Sequence, residues 1–270
     1  FLDDAGARCR PIGWRQVSAE EVGTRIAGGD LDGDGRDEVV VGLERGGTAL
    51  VLDDATRDFQ PLSTLSVPWK EYAARAGETR PAVGDLDGDG RAEVVLGLGR
   101  HGKDGGWMAV FRDGKFVQWV RLPYTPYNQT GAGTWPACGD TDGDGIQELV
   151  VGTEDGAGAH AAVISRALSA ASAVRWVRLP WDEYARGNGS VRASCAELDG
   201  DERSEMVLSP AVGIDGAPIV ALFDDARASH AFLGWRRGWT PRASSAKAEA
   251  EAPLDPAREA ALAALRGRRG

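Results

Sequence analysis

Sulfur is scarce in this chain of 270 residues, which has three cysteines and two methionines. Cys9, Cys138 and Cys195 are widely spaced and form no Cys-x-x-Cys, so the sequence carries neither a disulfide framework nor a thiolate metal site. Histidine is equally sparse, and His101, His160 and His230 show no spacing from which a Ser/His/Asp grouping could be argued. The expectation is therefore no enzyme activity within these residues. Basic residues are outnumbered, 31 Lys and Arg against 41 Asp and Glu, for a net charge of −10. That balance argues against a nucleic-acid partner. No run of about 18 or more apolar residues exists, so no transmembrane segment is visible, and no secretory leader is visible either. A helical period is missing over most of the chain.

What the chain has in abundance is glycine, tryptophan and acid, and the three are arranged in register. Gly-Asp-Leu-Asp-Gly-Asp-Gly occupies residues 29–35 and recurs at 84–90. A near copy with Thr141 fills 139–145, and a degenerate copy, Ala-Glu-Leu-Asp-Gly-Asp-Glu, fills 196–202. Asp30, Asp85 and Asp140 are 55 positions apart, and Glu197 follows after 57. A fixed period of this size marks a solenoid, a propeller or a domain array.

The content of one period selects among these. In the second unit, Arg80–Gly84 leads into the acidic loop, and Glu93–Leu98 follows as a β-branched run. Trp107–Phe111 comes next, then a turn at Arg112–Lys115, then Phe116–Leu122. Four short strands separated by Gly/Asp turns make one antiparallel propeller blade. The other units repeat the order, with third strands at Thr48–Leu52, Ala161–Ile164 and Pro218–Phe223 and fourth strands at Phe59–Val67, Val174–Leu179 and Ala231–Trp235. Look-alike connectors join them at Pro68–Tyr72, Pro123–Tyr127 and Pro180–Tyr184.

The fold expected is all-β: a β-propeller of four-stranded antiparallel blades at about 23–68, 78–123, 133–180 and 190–240. Residues 1–22 are expected to be a half blade, because Phe1–Asp4 and Ile12–Arg15 match Leu222–Asp225 and Leu233–Arg236. A chain that opens in mid-blade on a residue other than Met reads as part of a longer or processed protein. Residues 241–270 read as a polar linker and a short helix, with Asp255 as N-cap and Pro256 in its first turn.

The loops carry chemistry. Calcium takes six to eight oxygen ligands, and a short loop supplies them when acids alternate and glycines allow the turn. The first loop offers Asp30, Asp32 and Asp34 at positions 1, 3 and 5, the Arg36 carbonyl at 7 and Glu38 at 9. The second offers Asp85, Asp87, Asp89, the Arg91 carbonyl and Glu93, and the third Asp140, Asp142, Asp144, the Ile146 carbonyl and Glu148. The fourth keeps Asp199, Asp201, the Arg203 carbonyl and Glu205, but Glu197 replaces aspartate at position 1 and Glu202 replaces glycine at position 6. Three Ca²⁺ sites are expected, with a weaker fourth or none there. Without an ion, carboxylates gathered at 4 Å repel by about 1 kcal/mol per pair even in water. The first six positions match an EF-hand loop, but the acid falls at position 9 and strands flank the motif, which disfavours a helical EF-hand pair.

The sequence Gly-Asp-x-Asp-Gly-Asp-Gly-x-x-Glu-[Val/Leu]-Val-x-Gly resembles the FG-GAP/VCBS repeat, the blade of the integrin α-subunit propeller and of many bacterial surface proteins. The resemblance covers residues 1 to about 240. The Phe-Gly and Gly-Ala-Pro marks of the family are missing from their expected places, which favours the bacterial form. The resemblance implies calcium in the loop between the first and second strands of each blade. It also implies an extracellular, cell-surface or periplasmic location and an adhesion or interaction role with a protein or glycan ligand. Two alternatives stand beside it. One is a carbohydrate-binding propeller using Trp69 and Tyr72, Tyr124 and Tyr127, and Trp181 and Tyr184, with Asn128 and Asn188 nearby; the competing reading of these rings is wedges between blades. The other is the propeller part of a larger secreted polysaccharide-active enzyme.

Overall fold

The computed structural model describes residues 22–213 and 218–237, together with the backbone of Leu2–Asp3 and Arg10–Pro11. The chain divides into two compact units, Phe1–Gly238 and Trp239–Gly270. The second unit, with the linker and helix expected at 241–270, lies outside the described residues.

Strands β1 (Leu2–Asp3) and β2 (Arg10–Pro11) form a short antiparallel pair. This pairing lies earlier than the Ile12–Arg15 segment named from the sequence, and residues 12–21 are outside the described set. Four blades follow. The first comprises β3 (Thr24–Gly29), β4 (Glu38–Leu43), β5 (Thr48–Leu52) and β6 (Pro61–Ser66). The second comprises β7 (Thr79–Gly84), β8 (Glu93–Leu98), β9 (Trp107–Arg112) and β10 (Lys115–Arg121). The third is β11 (Thr134–Gly139), β12 (Glu148–Thr153), β13 (His160–Ser165) and β14 (Ala173–Arg178). The fourth is β15 (Val191–Ala196), β16 (Glu205–Pro210), β17 (Ile219–Phe223) and β18 (Phe232–Arg237). Every blade is a four-stranded antiparallel sheet in sequence order, so the fold is an all-β propeller. Phe59, expected to open a fourth strand, instead sits in a turn with φ +51° ahead of β6.

Burial falls from the second strand outward. All six residues of β8 and of β12 are buried, because neighbouring blades cover both faces of these sheets. That explains their unbroken apolar runs, where a one-sided sheet would alternate. The outermost strands, such as β14, are mostly exposed.

Blades approach each other over glycine. A Cβ on Gly42 would lie 2.4 Å from the Thr79 carbonyl oxygen, and one on Gly152 would lie 2.3 Å from that of Val191. Only hydrogen lets the next inner strand cross so closely. Threonines then staple the crossing. Thr79 Oγ1 accepts from Leu43 N at 2.9 Å and donates to Thr48 O at 2.7 Å, and Thr134 repeats this with Leu98 and Trp107 one blade on.

The connectors hold one-turn helices that the sequence pattern did not disclose: α1 (Lys70–Arg75), α2 (Thr125–Asn128) and α3 (Asp182–Arg186). Segments this short leave no period to read. Each helix buries one tyrosine: Tyr72, Tyr127 or Tyr184. Their hydroxyls donate to Glu78 O, Gly133 O and Ser190 O, at the start of the next inner strand. The same oxygens accept from Gly99 N, Glu154 N and Ala211 N, at the end of that next blade's second strand. These rings are wedges between blades. Among the described residues no helix is long and apolar enough to cross a membrane.

Candidate metal centres

Each acidic loop leaves the inner strand of its blade and returns as the second strand. The first acid organises the turn. Asp30 accepts from Gly33 N at 2.7 Å and Asp34 N at 3.2 Å through Oδ1, and from Gly35 N at 2.8 Å through Oδ2. Asp85 does the same with Gly88, Asp89 and Gly90, and Asp140 with Gly143 and Gly145. The turn requires positive φ at positions 4 and 6, and Gly33 and Gly35 adopt +81° and +84°. Burial alone would raise the pKa of Asp30, but the amide donors of Gly35, Gly33, Asp34 and Asp32 outweigh it and hold the group below its ordinary value.

The glutamate at position 9 forms the floor. Glu38, Glu93, Glu148 and Glu205 are all buried, at most 2 % exposed. Each uses Oε2 to accept the amide of position 2: Leu31 at 2.8 Å, Leu86 at 3.0 Å, Thr141 at 2.8 Å and Leu198 at 2.6 Å. Burial pushes all four carboxyls above their ordinary range, and neighbouring aspartates add to it. Oxygens from positions 1, 3 and 9 converge in every loop. One from each of Asp30, Asp32 and Glu38 lies within 4.8 Å of the others, and so it is for Asp85, Asp87 and Glu93, for Asp140, Asp142 and Glu148, and for Glu197, Asp199 and Glu205. These clusters could hold a metal ion.

Position 5 does not join them. Asp34, Asp89, Asp144 and Asp201 accept through Oδ1 from the amide of position 7: Arg36, Arg91, Ile146 and Arg203. Three then turn their other oxygen to a guanidinium, Asp34 to Arg36, Asp144 to Arg166 and Asp201 to Arg203.

The loops differ in what faces the floor glutamate. Glu38 Oε1 and Glu205 Oε1 are buried with no hydrogen-bond partner. A buried anionic oxygen without a donor is costly, and a cation would satisfy it. In the second loop Arg112 fills that role: its Nε donates to Glu93 Oε1 at 2.7 Å and its Nη2 pairs with Asp87. The hydrogen bond to Glu93, with both negative charges, raises the pKa of Arg112 further. The fourth loop keeps the backbone course despite its substitutions. Glu202 takes φ +70° where the other loops have glycine, and Glu197 Oε1 accepts from Asp199 N and Gly200 N. A non-glycine residue in this region costs about 1–2 kcal/mol.

Two features escaped the sequence reading. Asp53 and Asp54 follow the third strand of the first blade, and Asp54 caps a short 3-10 turn at Ala55–Arg57. Both are also buried, and oxygens of both lie within 4.8 Å of Glu38, making a second acidic cluster beside the first loop. Arg112 is the equivalent of Asp53 on the next blade, since Leu52 and Phe111 pair with Val39 and Val94 in the same register. Comparing that position across repeats is the signal that would have found both.

The loops are also joined to one another. Ala92 N donates to Asp30 O at 2.9 Å, Gln147 N to Asp85 O at 2.8 Å, and Ser204 N to Asp140 O at 2.7 Å. The four acidic loops are thus hydrogen-bonded in series, from the first to the fourth.

Residues 30–96 and 85–151 match the FG-GAP-like repeat. No curated protein matches the chain. Among solved structures it is similar to the exotype rhamnogalacturonan lyase YesX, at 15 % identity and a TM-score of 0.45, over 79 % of this chain and 49 % of that one. It is similar to rhamnogalacturonan lyase YesW at 16 % identity and a TM-score of 0.44, over 80 % of this chain and 49 % of that one. A lectin from Agrocybe aegerita, described as recognising non-reducing terminal N-acetylglucosamine, is similar at 18 % identity and a TM-score of 0.47, over 78 % and 50 %. The chain therefore spans about half the length of each of these proteins. Residues 30–151 are thus similar to FG-GAP-like repeats, and they lie in a propeller whose four blades share one plan.

Proposed function

We propose that this chain is a non-catalytic, calcium-braced interaction module working outside the cytoplasm, where it presents a rigid propeller to a protein or glycan ligand. The observation that carries the reading is the buried floor glutamate, whose Oε1 in the first loop lacks a partner while oxygens of Asp30 and Asp32 gather within 4.8 Å. The donor set is all oxygen, which suits a hard cation. Asp30, Asp32 and Glu38 would hold the ion in the first loop, and Asp140, Asp142 and Glu148 in the third, with the Arg36 and Ile146 carbonyls and Asp34 and Asp144 completing the sets. The second loop would bind more weakly because Arg112 competes, and the fourth because Glu197 and Glu202 depart from the pattern. When bound, calcium supplies the positive charge these clusters lack. Because the loops are bonded blade to blade, that charge braces the propeller as a whole. Extracellular calcium modules work at about 10⁻⁴–10⁻³ M, which fits an exposed loop of this kind.

The test is thermal unfolding of the full chain after EDTA treatment, then with about 1 mM Ca²⁺ or Mg²⁺. A rise in Tm with calcium exceeding that with magnesium is expected. An unchanged Tm in calcium would remove the metal from the reading.

A glycan ligand has one specific observation in its favour. Tyr72, Tyr127 and Tyr184 are buried and Asn128 donates to Leu122 O, so these residues do not offer a sugar platform. A hollow lined by Pro68, Trp69, Asp104, Trp107 and Trp119 does. Its indoles meet edge to face, Trp69 with Trp119 and Trp107 with Trp119. Trp107 Nε1 is buried without a partner, a donor facing no acceptor. Screening glycans in calcium, with Trp119→Ala as control, separates this reading from a protein-only ligand: binding lost in the variant supports it.

A further inference from the structure

Away from the acidic loops, the second residue of each inner strand contributes to one layer around the central channel: Arg25, Arg80, Trp135 and Arg192. Each lies five positions before the first acid of its loop, so the layer is part of the repeat. A cavity of about 420 Å³ opens among the four inner strands and is lined by all four of these side chains.

The three guanidiniums gather on one indole. The Cζ atoms of Arg80, Arg192 and Arg25 lie 3.8, 4.5 and 5.6 Å from the centroid of Trp135. In a protein of net charge −10, a cluster of three arginines in the channel runs against the average. Their compensation is uneven. Arg80 is buried and pairs with Glu78 and Glu154, both at 2.7 Å. Its Nε remains buried with no partner. Arg25 shares Glu78 at 3.2 Å. Arg192 is exposed and, among the described residues, has no carboxylate partner; its contact is the Trp135 ring. A guanidinium stacked on an aromatic face is held in place while its in-plane N–H donors stay free for a planar, bidentate acceptor.

We propose that this arginine layer binds a small carboxylate-bearing ligand at the central channel, with Arg192 as the principal donor and Trp135 as the platform that orients it. The cavity lies in the size range of small-molecule pockets, about 300–1,000 Å³. A protein partner would need a surface of about 800 Å² per side, which favours a small ligand here. The site is independent of the metal loops, which sit at the other end of the inner strands.

The experiment is isothermal titration of the full chain in calcium-containing buffer with D-glucuronate, with glucose as the neutral counterpart and with inorganic phosphate. Glucuronate is expected to bind and glucose not to. Arg192→Gln should weaken glucuronate about tenfold or more, the worth of a hydrogen-bonded charge, with Tm unchanged. Arg237→Gln, on the exposed outer strand β18, should leave binding as in the wild type. Absence of glucuronate binding, equal affinity for glucose, binding of phosphate alone, or an unaffected Arg192→Gln variant would each overturn the proposal. A Tm that does not respond to calcium alongside intact glucuronate binding would fail the metal reading and leave this one standing.

Discussion

Tyr72, Tyr127 and Tyr184 each do two things with one oxygen. The hydroxyl of Tyr127 donates to Gly133 O at 2.5 Å, and the same oxygen accepts from Glu154 N at 2.7 Å. Buried among apolar neighbours, it ties the connector to the next blade at two points. Its buried position pushes the phenol well above its ordinary range, so it stays a neutral donor. Tyr127→Phe keeps the ring and removes both bonds, leaving an amide and a carbonyl unpaired. Leaving buried polar groups unsatisfied costs about 1–3 kcal/mol. Urea denaturation should show that loss with an unchanged m-value; a loss below about 0.5 kcal/mol would mean that ring packing, not the hydroxyl, joins the blades. The sequence disclosed these tyrosines as repeated residues and offered two uses, a sugar platform or a wedge. Burial settles that Tyr72, Tyr127 and Tyr184 are wedges, a quantity that recurrence alone cannot supply.

The acidic loop shows where a motif stops being informative about itself. Its glycines and its first acid behave as their spacing dictated, because their roles are local: positive φ and amide acceptance within six residues. Arg112 was invisible in the motif because it reaches the second loop from the third strand, across the sheet. Position 5 has a partner the motif does not announce, for a related reason. The alternate-acid pattern counts Asp34 as a ligand, and the Arg36 guanidinium that pairs with it lies outside that count. These arginines neutralise the loops to different degrees, so the sites should not be equal. Arg112→Ala would free Glu93 Oε1 and Asp87 together. We expect the variant to be less stable than wild type in EDTA and to bind calcium at the second loop more tightly, by about tenfold, since hydrogen bonds to charged groups are worth about 1.5–3 kcal/mol. Calcium titration followed by native mass spectrometry would count the ions. An unchanged ion count and affinity would show that Arg112 does not compete for the site.

At the scale of the molecule, the repeat phase was enough to read the architecture. Fifty-five residues with four strand signals leave few alternatives to a blade, and the in-phase glycines of the second strands prove to be where blades cross. The one-turn helices and the channel arginines were not legible, the former for want of length and the latter because a ring exists only after four inner strands are brought together. The same assembly sets a charge problem. Four clusters of carboxylates are held in loops bonded one to the next, so their repulsion acts on a shared scaffold. Added salt screens that repulsion, since the Debye length falls from about 30 Å at 0.01 M to about 8 Å at 0.15 M. It also screens the attractions of Arg112 for Asp87 and of Arg166 for Asp144. The net charge of −10 decides which wins, and repulsion should dominate once metal is removed. Thermal unfolding in chelator should therefore show Tm rising as NaCl increases from about 10 to 300 mM, and the slope should shrink in saturating calcium. A metal-free chain that is instead destabilised by salt would mean that its own arginines already neutralise the loops, and the bracing would then rest on protein cations rather than on a bound one.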